Sequence, residues 1–163
     1  MSGPQSTSRA GAVVDRQVAV KADALPDQQA LERWVSGVLA RHAGRAGSEL
    51  TVRFVEQAES RALNRDYRGR DKSTNVLSFP FDAPPGIPLD LLGDLVICHA
   101  VVASEADAQR KTLADHYAHM VVHGTLHLLG YDHVDDKEAE DMEQLEREIL
   151  AGLGIADPYA SGG

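Results

Sequence analysis

The spacing of apolar residues changes several times along this chain, and each change marks an element. VVDRQVAV (13–20) is rich in β-branched residues and partly alternates, the period-2 signature of a strand. After Pro26 and Asp27, residues Leu31, Trp34, Val35, Val38 and Leu39 recur at three- and four-residue intervals, which places them on one helical face. Leu50, Val52 and Phe54 then alternate with Thr51 and Arg53, a strand with one solvated side. Strand, helix and strand in this order predict a βαβ unit with parallel strands. A short helix is expected over 57–65, the polar loop DYRGRDKST after it, and a third strand at VLSFPF (76–81). Pro84, Pro85 and Pro88, with Gly86 and Gly93, make DAPPGIPLDLLG a long exposed loop, which leaves DLVIC (94–98) as the fourth strand.

Helices dominate the rest. One is expected near 100–110, and a longer one opens at Thr112 with Asp115 as its capping partner. Val121, Val122, Leu126, Leu128 and Leu129 make this second helix apolar nearly all round, so it is expected to be buried. The last helix opens at Asp135 with Glu138 in the corresponding position. Its acidic first turn suits the positive end of the helix dipole. Met142, Leu145 and Ile149 are its buried stripe, and it stops near Gly152 and Gly154.

The buried helix also carries the chemistry. Five of the seven histidines fall between His116 and His133. His123 and His127, four apart, sit one above the other on a helix and can direct two imidazoles at one ion. Gly130 permits the left-handed exit from the helix, and the turn through Tyr131 and Asp132 can bring His133 back to the same point. Imidazoles buried without partners are costly, and coordination satisfies them. Three nitrogen ligands leave a position open, as in a catalytic rather than a structural zinc site. The expectation is one Zn2+ per chain, although three imidazoles also suit nickel, copper or iron.

Length, composition and charge set the frame. At 163 residues with 43% hydrophobic content, the chain fits one globular domain over 13–160. Residues 1–12, small, polar and aperiodic, are expected as a disordered N-terminal tail. The expected class is α+β: a mixed four-stranded sheet packed with about five helices, the metal-bearing helix at the centre. No apolar run approaches the roughly 20 residues of a bilayer span, and the start MSGPQSTSRAGA lacks a signal peptide's apolar stretch, so the expected location is cytoplasmic, with no membrane partner. The lone Cys98 excludes an internal disulfide and reads first as a buried strand residue. A net charge of −9 at first argues against a nucleic-acid partner. The distribution reverses that, because eight acids crowd residues 135–148 beside only Lys137 and Arg147. Arg65, Arg68, Arg70 and Lys72 meanwhile gather in one short loop, a landing site for a polyanion.

With these residues assembled, the chain resembles the YbeY family, bacterial endoribonucleases implicated in ribosomal RNA maturation. Three blocks carry the resemblance: LNRDYRGRDKSTNVLSFPF (63–81), LLGDLVIC (91–98) and HYAHMVVHGTLHLLGYDH (116–133), with a weaker continuation to DPY at 157–159. The resemblance implies metal ligands at His123, His127 and His133 and a functionally important arginine at Arg68. It further implies maturation of the small-subunit rRNA 3′ end, ribosome quality control, and a ribosome-associated GTPase partner reached through Asp94.

The expected reaction is therefore metal-dependent hydrolysis of single-stranded RNA, with the ribosome or its small subunit as partner and the oligomeric state open. Arg68 would stabilise charge on the phosphate. Arg65, Arg70, Lys72 and His119 are candidate RNA contacts, and His119 is alternatively a group behind the metal ligands. His116 lies on the same helical face and reads either way between such a role and plain helix surface. The general base stays open between the metal's own hydroxide, the substrate's ribose hydroxyl and Asp132. Gly124 stands where helical zinc proteases carry glutamate, which speaks against a peptidase. The other alternative is a non-enzymatic assembly factor with a structural metal, which a fourth ligand such as Cys98 or Asp132 would favour.

Overall fold

The computed structural model describes residues 12–42, 44–81, 91–131 and 135–159. Strand β1 (Val13–Ala19) leads through helix α1 (Gln28–Leu39) to β2 (Glu49–Val55), and the two strands pair in parallel, as the strand–helix–strand order predicts. Asp27 caps α1 by accepting from the Ala30 amide at 2.8 Å. Helix α2 (Gln57–Arg68), edge strand β3 (Val76–Pro80) and central strand β4 (Leu91–Cys98) follow, giving the sheet order β1-β2-β4-β3. β4 is parallel to β2 and antiparallel to β3. Pro80, which cannot donate to a ladder, accordingly lies in a strand with one free edge.

Two boundaries differ from the sequence reading. Strand β4 starts at Leu91, so the end of the expected proline-rich loop belongs to a central strand. Gly93 makes that possible: at φ +142° a Cβ would lie 2.2 Å from the Phe79 carbonyl oxygen, and the β2–β4 register shifts beside it. Helix α2 runs three residues past 65, which moves Arg68 from the expected loop to the helix's last turn. The rest of the proline-rich segment, 82–90, lies outside the described residues, as do residues 1–11 of the expected tail.

Helices α3 (His99–Ala108), α4 (Leu113–Leu128) and α5 (Asp136–Gly152) complete, among the described residues, an α+β architecture of five helices and one mixed sheet. Thr112 and Asp135 cap α4 and α5 through the amides of Asp115 and Glu138. The main core joins Leu50, Val52 and Phe54 of β2 and Leu95 and Ile97 of β4 to α1, α4 and α5. The alternate residues of β4, Val96 and Cys98, face a smaller cluster with Leu63 of α2 and Val101 of α3. Helix α4 is buried nearly all round, touching α1, α3, α5, β3 and β4. At Gly124 it packs tightly on the sheet: a Cβ there would meet Leu95 Cδ2 at 2.8 Å. No helix among the described residues is long and apolar enough to cross a membrane.

Candidate functional site

One face of α4 carries His116, His119, His123 and His127 in ladder order, with successive ring centroids 6.1, 6.2 and 4.6 Å apart. Nε2 of His123 and Nε2 of His127 approach to 3.1 Å. Behind them lies Glu146 of α5, which is 0% exposed. Its Oε2 accepts from His123 Nδ1 at 2.6 Å, and its Oε1 from His119 Nε2 at 2.9 Å and from the Tyr159 hydroxyl. Burial by itself would raise the Glu146 carboxyl, but the bonds from His119, His123 and Tyr159 outweigh it and hold the group at about 2. Burial and then the bond to Glu146 push the Tyr159 hydroxyl far above the ordinary tyrosine range.

The exit from α4 is built as its glycine predicts. Gly130 has φ +105°, and the amides of Gly130 and Tyr131 return to the carbonyls of His127 and Leu126 at 3.0 and 3.1 Å. Tyr131 is anchored in turn, its hydroxyl 2.8 Å from His42 Nε2. The chain then reaches 132–134, so the expected ligand His133 and the candidate base Asp132 lie outside the described residues.

The opposite side of the site is cationic. Arg68 ends α2 just before Gly69, whose φ of +72° terminates the helix. Buried polar residues tie the following loop to α2: Asn64 Nδ2 donates to the Lys72 carbonyl at 2.9 Å, and the Ser60 hydroxyl exchanges two bonds with Thr74 at 3.0 and 3.1 Å. Arg61 adds a two-pronged pair with Asp71 at 2.7 and 3.0 Å.

These two sides enclose a cavity of about 530 Å³, lined by Arg68, Thr74, Asn75 and Ser78 on one side and by His123, His127 and Tyr131 on the other. The structure thus brings together three of the four principal residues singled out in the sequence: Arg68, His123 and His127. The donor chemistry suits a divalent metal. Two imidazole nitrogens held by one tetrahedral zinc stand about 3.3 Å apart, close to the 3.1 Å found here. Among the described residues no three His, Cys, Asp or Glu side chains gather into one candidate cluster.

The other expected residues fall elsewhere. Arg65, Arg70 and Lys72 are exposed near Arg68 but do not line the cavity, and Arg65 pairs with Asp66 at 3.2 Å. Asp94 is exposed and, by strand alternation, shares the Val96 and Cys98 side of the sheet, away from α4. His119 is 8% exposed and turned toward Glu146. His116 is 2% exposed, which removes the helix-surface reading; it bonds Glu105 at 2.8 Å, and burial lowers its pKa despite that partner. Cys98 is fully buried in the smaller cluster, which does not favour it as a fourth ligand. Gly124 packs onto Leu95 and Val76, so the position used by a protease glutamate faces the sheet.

Glu146 was missed because it sits in the acid-rich run 135–148, where a solvated face is the natural reading. A signal was present: Met142, Glu146 and Ile149 follow helical spacing and put the glutamate in the apolar stripe. Tyr159, after the last helix, carried no signal of its own.

A family model described as Endoribonuclease YbeY matches residues 15–154. The Endoribonuclease YbeY of Chromohalobacter salexigens is 68% identical over 149 residues, which span 90% of this chain and 97% of that protein. A solution structure of a protein from Thermotoga maritima shares the fold at 23% identity, with a TM-score of 0.51 over 88% of this chain and 98% of that one.

Proposed function

The chain belongs to the YbeY family, and on that premise we propose that it is a metal-dependent endoribonuclease of single-stranded RNA. It holds zinc through His123, His127 and His133 and acts, in the cytoplasm, in maturation of the small-subunit rRNA 3′ end and in ribosome quality control. The observation that carries this reading is the shared cavity, in which one guanidinium faces two converging imidazoles.

When bound, zinc supplies Lewis acidity and brings the pKa of a water molecule to about 7. The chain's own groups do the rest. Arg68, always charged and planar, grips a non-bridging phosphate oxygen and offsets the negative charge that grows in the transition state. Thr74, Asn75 and Ser78 line the same cavity as Arg68 and the histidines and offer polar groups to the backbone and ribose of the substrate. Arg65, Arg70 and Lys72 attract the strand toward the cavity from outside. Asp94, exposed on the side of the sheet opposite α4, is the point at which a ribosome-associated GTPase docks.

The test is cleavage of a labelled single-stranded RNA by metal-stripped and zinc-restored protein, beside a duplex of the same sequence. We expect activity only after zinc is restored and only on the single strand. Equal cutting by both preparations would contradict metal dependence.

A further inference from the structure

The acids of α5 are mostly solvated: Asp136, Glu138, Glu140, Asp141 and Glu148 are all exposed. Glu146 is the exception at 0% exposure, and stability alone does not explain it. An apolar residue between Met142 and Ile149 would complete the buried stripe without the desolvation of a charge, and such replacements are often neutral or stabilising. A carboxylate does something there that an apolar group cannot. Ionised, it only accepts hydrogen bonds, so the His123 Nδ1 that lies 2.6 Å from Oε2 must carry the proton. In the neutral ring the lone pair is then on Nε2, the atom that faces His127.

The carboxylate is itself held in place. Its other oxygen takes both His119 Nε2 and the Tyr159 hydroxyl, which prevents it from rotating away from His123. Tyr159 is fixed by the hydrogen bond that its backbone amide donates to Asp157 Oδ1 at 2.8 Å and by the Arg147 guanidinium 5.2 Å from its ring centroid. Lys111 holds the same segment through the Pro158 carbonyl at 3.2 Å.

We propose that Glu146 is a positioning residue: locked by Tyr159 and His119, it fixes His123 in the Nδ1–H tautomer and aims Nε2 toward His127 for the metal. The inference rests on the metal-site reading above and extends it to α5 and the segment after it. Outer carboxylates of this kind orient ligand imidazoles and raise their basicity, and their loss typically weakens metal binding about 10- to 100-fold.

Two measurements test it. Imidazole 15N resonances of the metal-free protein, above the ordinary histidine pKa, should show His123 protonated at Nδ1 and bare at Nε2. Zinc affinity by chelator competition should fall about 10- to 100-fold in Glu146→Gln and less in Tyr159→Phe, with the metal-free melting temperature of each recorded alongside. Unchanged zinc affinity in a folded Glu146→Gln protein would overturn the proposal, as would a His123 protonated at Nε2 in the wild type. If Glu146→Gln fails to fold, Tyr159→Phe and the wild-type tautomer decide. A wild type that takes up no stoichiometric zinc would instead sink the metal-site reading, and the metal-free tautomer keeps the two failures distinguishable.

Discussion

The two sides of the cavity hold their functional groups still by different means. On the histidine side, His119 and Glu146 are buried and His123 is partly so, and each is fixed by a side chain from another element. On the arginine side, Arg68 and the loop after it are exposed, and order comes from beneath, where Ser60 and Asn64 of α2 bond the loop backbone. Metal binding and phosphate binding make those different demands. A metal needs several ligands converging within tenths of an ångström, which burial and outer hydrogen bonds supply. A phosphate needs a cation that can reach out of water to a large substrate, and an arginine at a helix end does that.

The comparison breaks most visibly if the two sides are not separable. His123→Ala should lose stoichiometric zinc and reduce cleavage on the order of 10³-fold or more, measured by metal analysis and RNA cleavage on one preparation. Arg68→Glu should keep zinc at the wild-type stoichiometry while cleavage falls about 10²- to 10³-fold, the usual cost of one lost charge-stabilising group. Loss of zinc in Arg68→Glu would merge the two sides into one unit.

Packing gives a smaller effect. Gly124→Ala pushes a methyl into Leu95 at 2.8 Å and should destabilise the fold by about 1–3 kcal/mol in denaturant unfolding. Asn64→Ala on the other side removes one bond to the Lys72 carbonyl and should cost about 1 kcal/mol.

The smallest effect is a pH dependence confined to the histidine side. Burial lowers the folded pKa of His116 below the ordinary 6.5. The unfolded chain therefore binds a proton that the folded chain refuses, so this part of the stability is whole above about 6.5 and declines as pH falls below it. Melting temperatures of metal-free wild type and His116→Gln across that range should diverge toward the acid side. Parallel curves would remove His116 as the cause.

The same contrast explains what could be read from the sequence. Elements governed by local order and period were legible: the parallel pairing of β1 and β2, the caps at Thr112 and Asp135, and the glycine exit at Gly130. The convergence of His123 and His127 followed from a four-residue spacing. The approach of Arg68 to those histidines did not, because it depends on how α2 and α4 sit about the sheet; only the family resemblance pointed to it. The start of β4 was misplaced because prolines and glycines marked a loop, while a glycine-accommodated irregularity at Gly93 keeps that stretch in a central strand. Glu146 was hidden by composition, since seven other acids around it made the helix look solvated.

The most direct test of the account is the structure of the zinc-loaded protein with a short single-stranded RNA, with the metal placed by its anomalous scattering. Zinc should lie about 2.0–2.1 Å from Nε2 of His123 and of His127, with a phosphate oxygen held by Arg68 across the same cavity. Zinc at another site, or a strand that passes the cavity without meeting Arg68, would contradict it.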